Sequence, residues 1–433
     1  MSAELASEAQ ELLARLLRFN TVNPPGNERE AQEYLASHLS AAGLECELLG
    51  AEPERPNLVA RLPGAEPGPT LCYLGHVDTV LAEPSEWSHD PFSGELIDGF
   101  LWGRGAIDMK SQVAAEAAAA ATLARSGWRP ARGELIVVSV VDEETGGELG
   151  AQWITREHPD KVRCDLLINE GAGALFDFEG RRLYGVCCAE KGVFRFALTT
   201  DGTAAHASLP TLGDNALLKM GPVLDRFAAR QPSFALCDET EALIGALGAD
   251  AGDPTAVMAS LRASNPRLAD ALEPMLGVTF SPTRIRASEK INVIPSSAEL
   301  KVDCRVPPGR GEEDVMRAIA EVLGQDGFHI EFTERMPANR SPVHSELMDA
   351  LGEWIAEHDP GAEVVPVILP GFSDSRHFRA AFPECIAYGF FPQRHQPLLE
   401  ELPLVHGADE RIDVRDLTFA SELYRDLARK LLG

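Results

Sequence analysis

The sequence contains no run approaching the roughly 18 uninterrupted apolar residues that a membrane-spanning helix needs. Its first residues, "MSAELASEAQELLARLLRF", lack a basic start followed by an apolar core, and read as an acidic amphipathic helix instead of an export leader. Eight cysteines include no CxxC pair. Most of them (Cys72, Cys164, Cys187, Cys188, Cys304, Cys385) sit in apolar strand-like runs. Buried, reduced thiols in a cytoplasmic protein are therefore expected. Positive charge is scarce: 39 Lys plus Arg stand against 67 Asp plus Glu, a net charge of −28. That argues against nucleic acid or an anionic membrane as partner. HExxH, the GxSxG elbow and a GxxxxGK phosphate loop are all missing, and "GRG" at Gly103–Gly105 lacks the third glycine of a dinucleotide fingerprint.

The 433 residues exceed what one compact core holds, so two domains are expected. The first part alternates helix and strand signals. A leucine-patterned first helix stops at "NPPG" (Asn23–Gly26). Asn27 is expected to cap the second, with Glu30 completing a capping box and Gly43 closing it. Strands are expected at Asn57–Arg61, Thr70–Leu74, Glu134–Val141 and Asp165–Ile168, and a long Ala-rich helix from about Asp108 to Ser126. Such alternation implies a mostly parallel sheet covered by helices. The texture changes after Lys191, which predicts a smaller α+β domain from about Gly192 to Met336, with "ALGADAGDPT" (Ala246–Thr255) as its most loop-like stretch. The α/β rhythm then returns, with a helix at Ser345–His358, strands at Val364–Ile368 and Cys385–Phe390, and a last helix at Arg415–Leu432.

Chemistry gathers where apolar runs end. "LCYLGHVDTV" finishes on His76 and Asp78, two apart and so on one side of an extended chain. "VVSVVDEETGG" finishes on Asp142-Glu143-Glu144, and "CDLLINEG" on Glu170. Asp108 lies between a glycine loop and a helix start, and His406 precedes the final helix. Each has a plain structural reading: a helix cap for Asp108, a solvated turn for Glu143 and Glu144, a rim carboxylate for Glu170 and a surface histidine for His406. None explains why three strand ends carry carboxylate or imidazole. Carboxylates crowded at one sheet edge repel and need neutralising. Two histidines with three carboxylates form a mixed N/O ligand set suited to zinc and tolerable for cobalt or manganese. One carboxylate can bridge two ions. Of the adjacent glutamates, one can bind metal while the other takes a proton.

The motifs "GHVDTV", "WGRGAIDMK", "DEETGG", "NEG", "INVIPSSAELKVDCRVPPG", "GFSDSRHF" and "HGADE" span nearly the whole chain. In that order the sequence resembles the two-zinc amidohydrolases that include aminoacylase, acetylornithine deacetylase, succinyl-diaminopimelate desuccinylase and glutamate carboxypeptidase. The resemblance implies an α/β fold. A mostly parallel-sheet catalytic domain, residues 1–191 and 337–433, would carry an inserted α+β lid and dimerisation domain, residues 192–336. It implies His76, Glu144, Glu170 and His406 as metal ligands and Asp108 as the bridge. Glu143 would be the general base, and Asp78 would orient His76 through its other ring nitrogen. The lid's His206 would reach into a partner subunit's site, Asn292 and Arg305 would bind the substrate's carboxylate, and Gly371 and Ser373 would belong to the substrate pocket. The family usually carries a small residue and threonine where Phe372 and Ser373 stand. The expected activity is hydrolysis of an amide bond in an N-acyl amino acid or short peptide with a free carboxylate, by metal-activated water on two Zn2+. The resemblance also implies that glutamate at position 170 goes with deacylase or carboxypeptidase activity, and aspartate there with dipeptidases. A binding protein without catalysis would not need a carboxylate at position 143.

Overall fold

The computed structural model describes residues 2–230, 233–234, 236–248 and 253–433. The chain divides into two units. One comprises Met1–Cys188, Ser341–Val367 and Ser373–Gly433, the other Ala189–Arg340 and Ile368–Phe372.

In the first unit the sheet runs in the order Glu45–Leu49, Asn57–Pro63, Arg132–Val140, Glu66–His76, Leu166–Asn169, Ile386–Gly389 and Arg181–Glu190. Glu66–His76 lies parallel to both Arg132–Val140 and Leu166–Asn169, and Ile386–Gly389 lies parallel to Leu166–Asn169. Asn57–Pro63 is antiparallel to its two neighbours. Alternate residues feed two apolar layers. Leu71, Tyr73, Leu135, Val137 and Ile168 face the layer that holds the helices Ser2–Leu16, Arg29–Ala42, Lys110–Arg125 and Val414–Leu432. Cys72, Leu74, Ile136, Val138 and Leu167 face the other, with Ile154, Phe378 and Phe382. Strands covered on both faces read as unbroken apolar runs, which is how they stand out in the sequence.

The Ala-rich helix Lys110–Arg125 is buried at every residue from Lys110 to Ala124. Its small side chains let Ser2–Leu16 and Val414–Leu432 pack closely against it. Glu116 sits within it and takes one hydrogen bond, from Gln112 Nε2 at 2.9 Å. Burial holds its carboxyl well above the usual range.

Two local expectations need correcting. The residue at the N-cap of the helix Arg29–Ala42 is Glu28 and not Asn27, and the Glu28 side chain makes no capping hydrogen bond. The Glu28 carboxylate is turned inward, where Arg55 Nε and Nη2 hold it. The other end is as expected: Gly43 adopts φ 101° and its N–H reaches Leu39 and Ser40 carbonyls. The stretch Ala246–Thr255 is not wholly loop. Asp253 caps a helix that starts at Pro254, while residues 249–252 of that stretch lie outside the described residues.

The second unit has an antiparallel sheet in which Ser297–Val306 is central. Gly192–Val193 and Phe196–Asp201 flank it on one side, Thr279–Arg286 on the other. Ser297–Val306 alternates buried and half-buried residues along its length, the pattern of a sheet with one covered face. The helices Ala216–Ala228 and Glu312–Leu323 supply that cover. Three further helices, Asp238–Ala246, Pro254–Ser264 and Pro266–Leu272, precede the edge strand. Among the described residues no helix is long and apolar enough to cross a membrane.

Candidate metal centre

Three parallel strands place their carboxyl ends on one edge, and each ends on a candidate ligand. His76 closes Glu66–His76, Glu143 and Glu144 follow Arg132–Val140, and Glu170 follows Leu166–Asn169. Asp108 arrives from the loop before the Ala-rich helix, and His406 from the loop before the last one.

Asp108 divides its two oxygens. Oδ1 lies 3.2 Å from His76 Nε2, and Oδ2 lies 3.0 Å from His406 Nε2. Glu170 Oε1 joins the His76 side at 3.6 Å, and Glu144 Oε2 joins the His406 side at 3.3 Å. His76, Asp108 and Glu144 offer ligand atoms within 4.8 Å of one another, and so do His76, Glu143 and Glu170. His76 Nε2 and Glu144 Oε1 are buried and have no hydrogen-bond partner among the described residues. Nε2 is thus near Asp108 but not aligned on it, as expected for donors that aim at a shared point. An unpaired buried imidazole nitrogen and carboxylate oxygen among further carboxylates suit a divalent cation, so the donor set fits zinc, cobalt or manganese.

The electrostatics agree. Burial pulls the His76 imidazole down, but Asp108, Asp78 and Glu170 outweigh it and hold it well above its ordinary value. His406 is pushed up to about 10 by Asp108 and Glu144. Asp108 lies far below the usual carboxylate range, because the two imidazoles overcome its burial. Glu143 is held high by burial and by Glu170, and Glu170 rises to about 7 through burial and Asp108. Positive charge on this edge is what the carboxylates lack.

Asp78 does more than the sequence suggests. His76 Nδ1 is 3.0 Å from its carbonyl oxygen and 3.6 Å from its carboxylate. Its carboxylate chiefly accepts the N–H groups of Glu143 and Glu144, both at 3.2 Å, and Asn23 Nδ2 at 2.9 Å. Asp78 therefore fixes the turn that carries both glutamates. That turn starts at Asp142, a non-glycine residue at φ 71°. Asn23 Nδ2, Arg55 Nη1 and Thr145 Oγ1 all hold the Asp142 Oδ1 atom, and the Leu149 N–H holds Oδ2. These supports went unread in the sequence, since neither Asn23 nor Arg55 follows an apolar strand run as His76, Glu143 and Glu170 do. Asp374, next to the predicted Ser373, was missed too. It is buried, with Oδ2 unpaired among the described residues, and burial raises its carboxyl well above the usual range.

The remaining predicted residues fall in different places. The Ser373 hydroxyl is buried and accepts from Asn169 Nδ2 at 3.3 Å. In the second unit, the short strands Ala205–His206 and Val293–Ile294 bring His206 beside Asn292, and both are exposed. His206 Nδ1 meets Ser208 Oγ at 2.7 Å. Arg305 lies elsewhere in that unit. Its Nε donates to Asp303 at 2.6 Å, its guanidinium sits 6.0 Å over the Phe372 ring, and Nη1 is buried without a partner among the described residues. Gly371 precedes Phe372, and a Cβ added there would meet the Leu369 side chain at 3.9 Å.

An α/β sheet with this cluster at its carboxyl edge defines a candidate site for two metal ions. Residues 72–430 match the peptidase family M20/M25/M40, and the chain belongs to it. It is 26% identical over 381 residues to a probable carboxypeptidase S-like protein of Dictyostelium discoideum, covering 83% of this chain and 71% of that one. It is 36% identical over 219 residues to succinyl-diaminopimelate desuccinylase of Xanthobacter autotrophicus, covering 48% of this chain and 54% of that one. An M20 metallo-carboxypeptidase from Sulfolobus solfataricus shares the fold at TM-score 0.73 and 19% identity, with 98% and 99% of the two chains covered.

Proposed function

We propose that the enzyme hydrolyses the amide bond of N-acyl amino acids or short peptides that carry a free carboxylate. The reading rests on Asp108, whose two oxygens serve two histidine–glutamate pairs while Glu143 stays beside them. His76, Asp108 and Glu170 would hold one cation, and Asp108, Glu144 and His406 the other, with Zn2+ as the first choice. Two such ions lower the pKa of water and polarise an amide carbonyl. Glu143 takes the proton of the attacking water and returns it to the leaving amine. Asp78 keeps Glu143 in place through its N–H. Asn292 and Arg305 receive the substrate carboxylate, Arg305 through the spare Nη1, and Gly371 and Ser373 shape the pocket wall. Relatives named carboxypeptidase and desuccinylase favour this substrate class over dipeptides.

The test is a panel of N-acyl amino acids, peptides and dipeptides, run after chelation and re-addition of Zn2+, Co2+ or Mn2+. Acyl amino acids with a free carboxylate are expected to be cleaved, and their amidated forms at least about tenfold more slowly, the size of one lost charge-assisted hydrogen bond. Cleavage of dipeptides alone makes the enzyme a dipeptidase. Two bound ions without any turnover leave a binding protein.

The second unit supports a homodimer. Among the described residues, Thr279–Arg286 pairs on one side only, and its residues from Ser281 to Arg286 are exposed. The helix Ala216–Ala228 beside it exposes Leu217, Leu218 and Leu224. A free edge next to apolar side chains suits pairing with a second copy. His206 would then donate to the developing oxyanion in the partner's site. Mixing inactive His206→Ala and Glu143→Gln subunits is expected to restore part of the activity, since one site of each mixed dimer has both residues. A monomer by sedimentation, or mixed dimers without activity, rejects this. A cytoplasmic location fits six buried thiols among the eight cysteines.

A further inference from the structure

The segments that carry Asp108 and His406, and the one that follows Asp78, are far apart in sequence, yet all three end on one buried ion pair. Glu410 is fully buried and Arg104 is 3% exposed. Glu410 Oε2 accepts from Arg104 Nη1 at 2.6 Å and from the Gly105 N–H at 3.0 Å. Its Oε1 accepts from the N–H groups of Ile107 at 2.6 Å and of Asp108 at 3.0 Å. The Glu410 carbonyl takes the Gly103 N–H at 3.0 Å. The other arm of the guanidinium, Arg104 Nη2, donates to the carbonyls of Leu81 at 3.2 Å, His406 at 3.3 Å and Gly407 at 2.8 Å. Trp87 covers the guanidinium carbon at 5.1 Å.

We propose that Arg104 and Glu410 are positioning residues, a clasp that fixes the bridging carboxylate and the last imidazole before any metal arrives. The proposal rests on the metal-centre reading above. A bridging carboxylate must present its two oxygens to two points about 3.5–4 Å apart. A small rotation of its backbone spoils that, and Glu410 holds this backbone through consecutive amides at Ile107 and Asp108. His406 is at φ 58°, the left-handed region that non-glycine residues rarely adopt. Arg104 anchors it by its own carbonyl and the next. One buried residue pair thus sets both ligands that face each other at 3.0 Å.

The residue types follow from the donor count. Glu410 accepts from four donors with two oxygens and has no N–H of its own. Glutamine offers one oxygen and turns an NH2 group towards N–H groups. Arg104 reaches a carboxylate and three carbonyls from one planar fork, which a lysine ammonium does not span. Conservative changes are therefore expected to fail.

The test compares Arg104→Lys and Glu410→Gln with wild type. Zn2+ and Co2+ dissociation constants are measured by chelator competition, the visible spectrum of the Co2+ form is recorded, and the thermal midpoint of the metal-free protein is taken. Both variants are expected to lose 10–100-fold in affinity for at least one ion, the size typical of residues that orient ligands, and to show an altered Co2+ spectrum. A purely structural pair lowers the metal-free midpoint and leaves affinity and spectrum as in wild type; that result overturns the clasp. Wild type binding fewer than two ions, or Asp108→Ala binding two, overturns the metal-centre reading instead. Should neither variant fold, hydrogen exchange on metal-free wild type decides. Slow exchange at Ile107 and Asp108, matching the strand Glu66–His76, supports the clasp, and exchange as fast as an open loop rejects it.

Discussion

Replacing Glu143 by glutamine is expected to lower turnover by roughly 10²–10⁴-fold, the contribution of a general base, and to leave bound metal unchanged. The second half of that statement carries the assignment. Glu143, His76 and Glu170 offer ligand atoms within 4.8 Å of one another, so distance alone admits Glu143 as a ligand. Under the proposed assignment the ligand set does without it, since each oxygen of Asp108 faces one histidine with one further glutamate. Glutamine keeps the size and the backbone bond to Asp78 Oδ1, so the turn stays in place. What it loses is the ability to take a proton. Turnover and metal content are to be read on one preparation. A variant depleted of metal makes Glu143 a ligand, and a variant that keeps more than about a tenth of its rate is not missing its base.

The site was legible because its residues break a pattern. A strand buried on both faces has no reason to finish on histidine or glutamate, and Glu66–His76, Arg132–Val140 and Leu166–Asn169 all stop beside one. Their parallel pairing puts those stops on one edge, a step that needs only the helix–strand alternation. What stayed hidden are residues that act through the backbone. Arg104, Glu410, Asn23 and Arg55 bond N–H groups, carbonyls and other carboxylates, and no spacing rule announces such contacts. Asn27 shows the same limit from the other side. Its capping-box pattern is a local signal, but the helix starts after Glu28, whose carboxylate is held by Arg55, 27 residues away.

Asp108→Ala is expected to remove both ions, and His406→Ala to remove one far more readily than the other. The difference follows from who shares what. Without Asp108, the first site keeps His76 and Glu170 and the second keeps His406 and Glu144, two protein ligands each. Two ligands fall short of the three that hold a catalytic zinc. Without His406, the first site still has three: His76, Asp108 and Glu170. Asp108→Asn separates charge from shape. Its single oxygen can serve one ion, while its NH2 group faces the other imidazole or ion unfavourably, so one bound metal per chain is expected. Metal content after exhaustive dialysis checks all three variants, with circular dichroism to confirm that each is folded. Activity should fall to background in Asp108→Ala. Retention of two ions by folded Asp108→Ala would mean that the two histidine–glutamate pairs bind without sharing an oxygen. The 3.2 and 3.0 Å approaches of Asp108 to His76 and His406 would then be ordinary ion pairs.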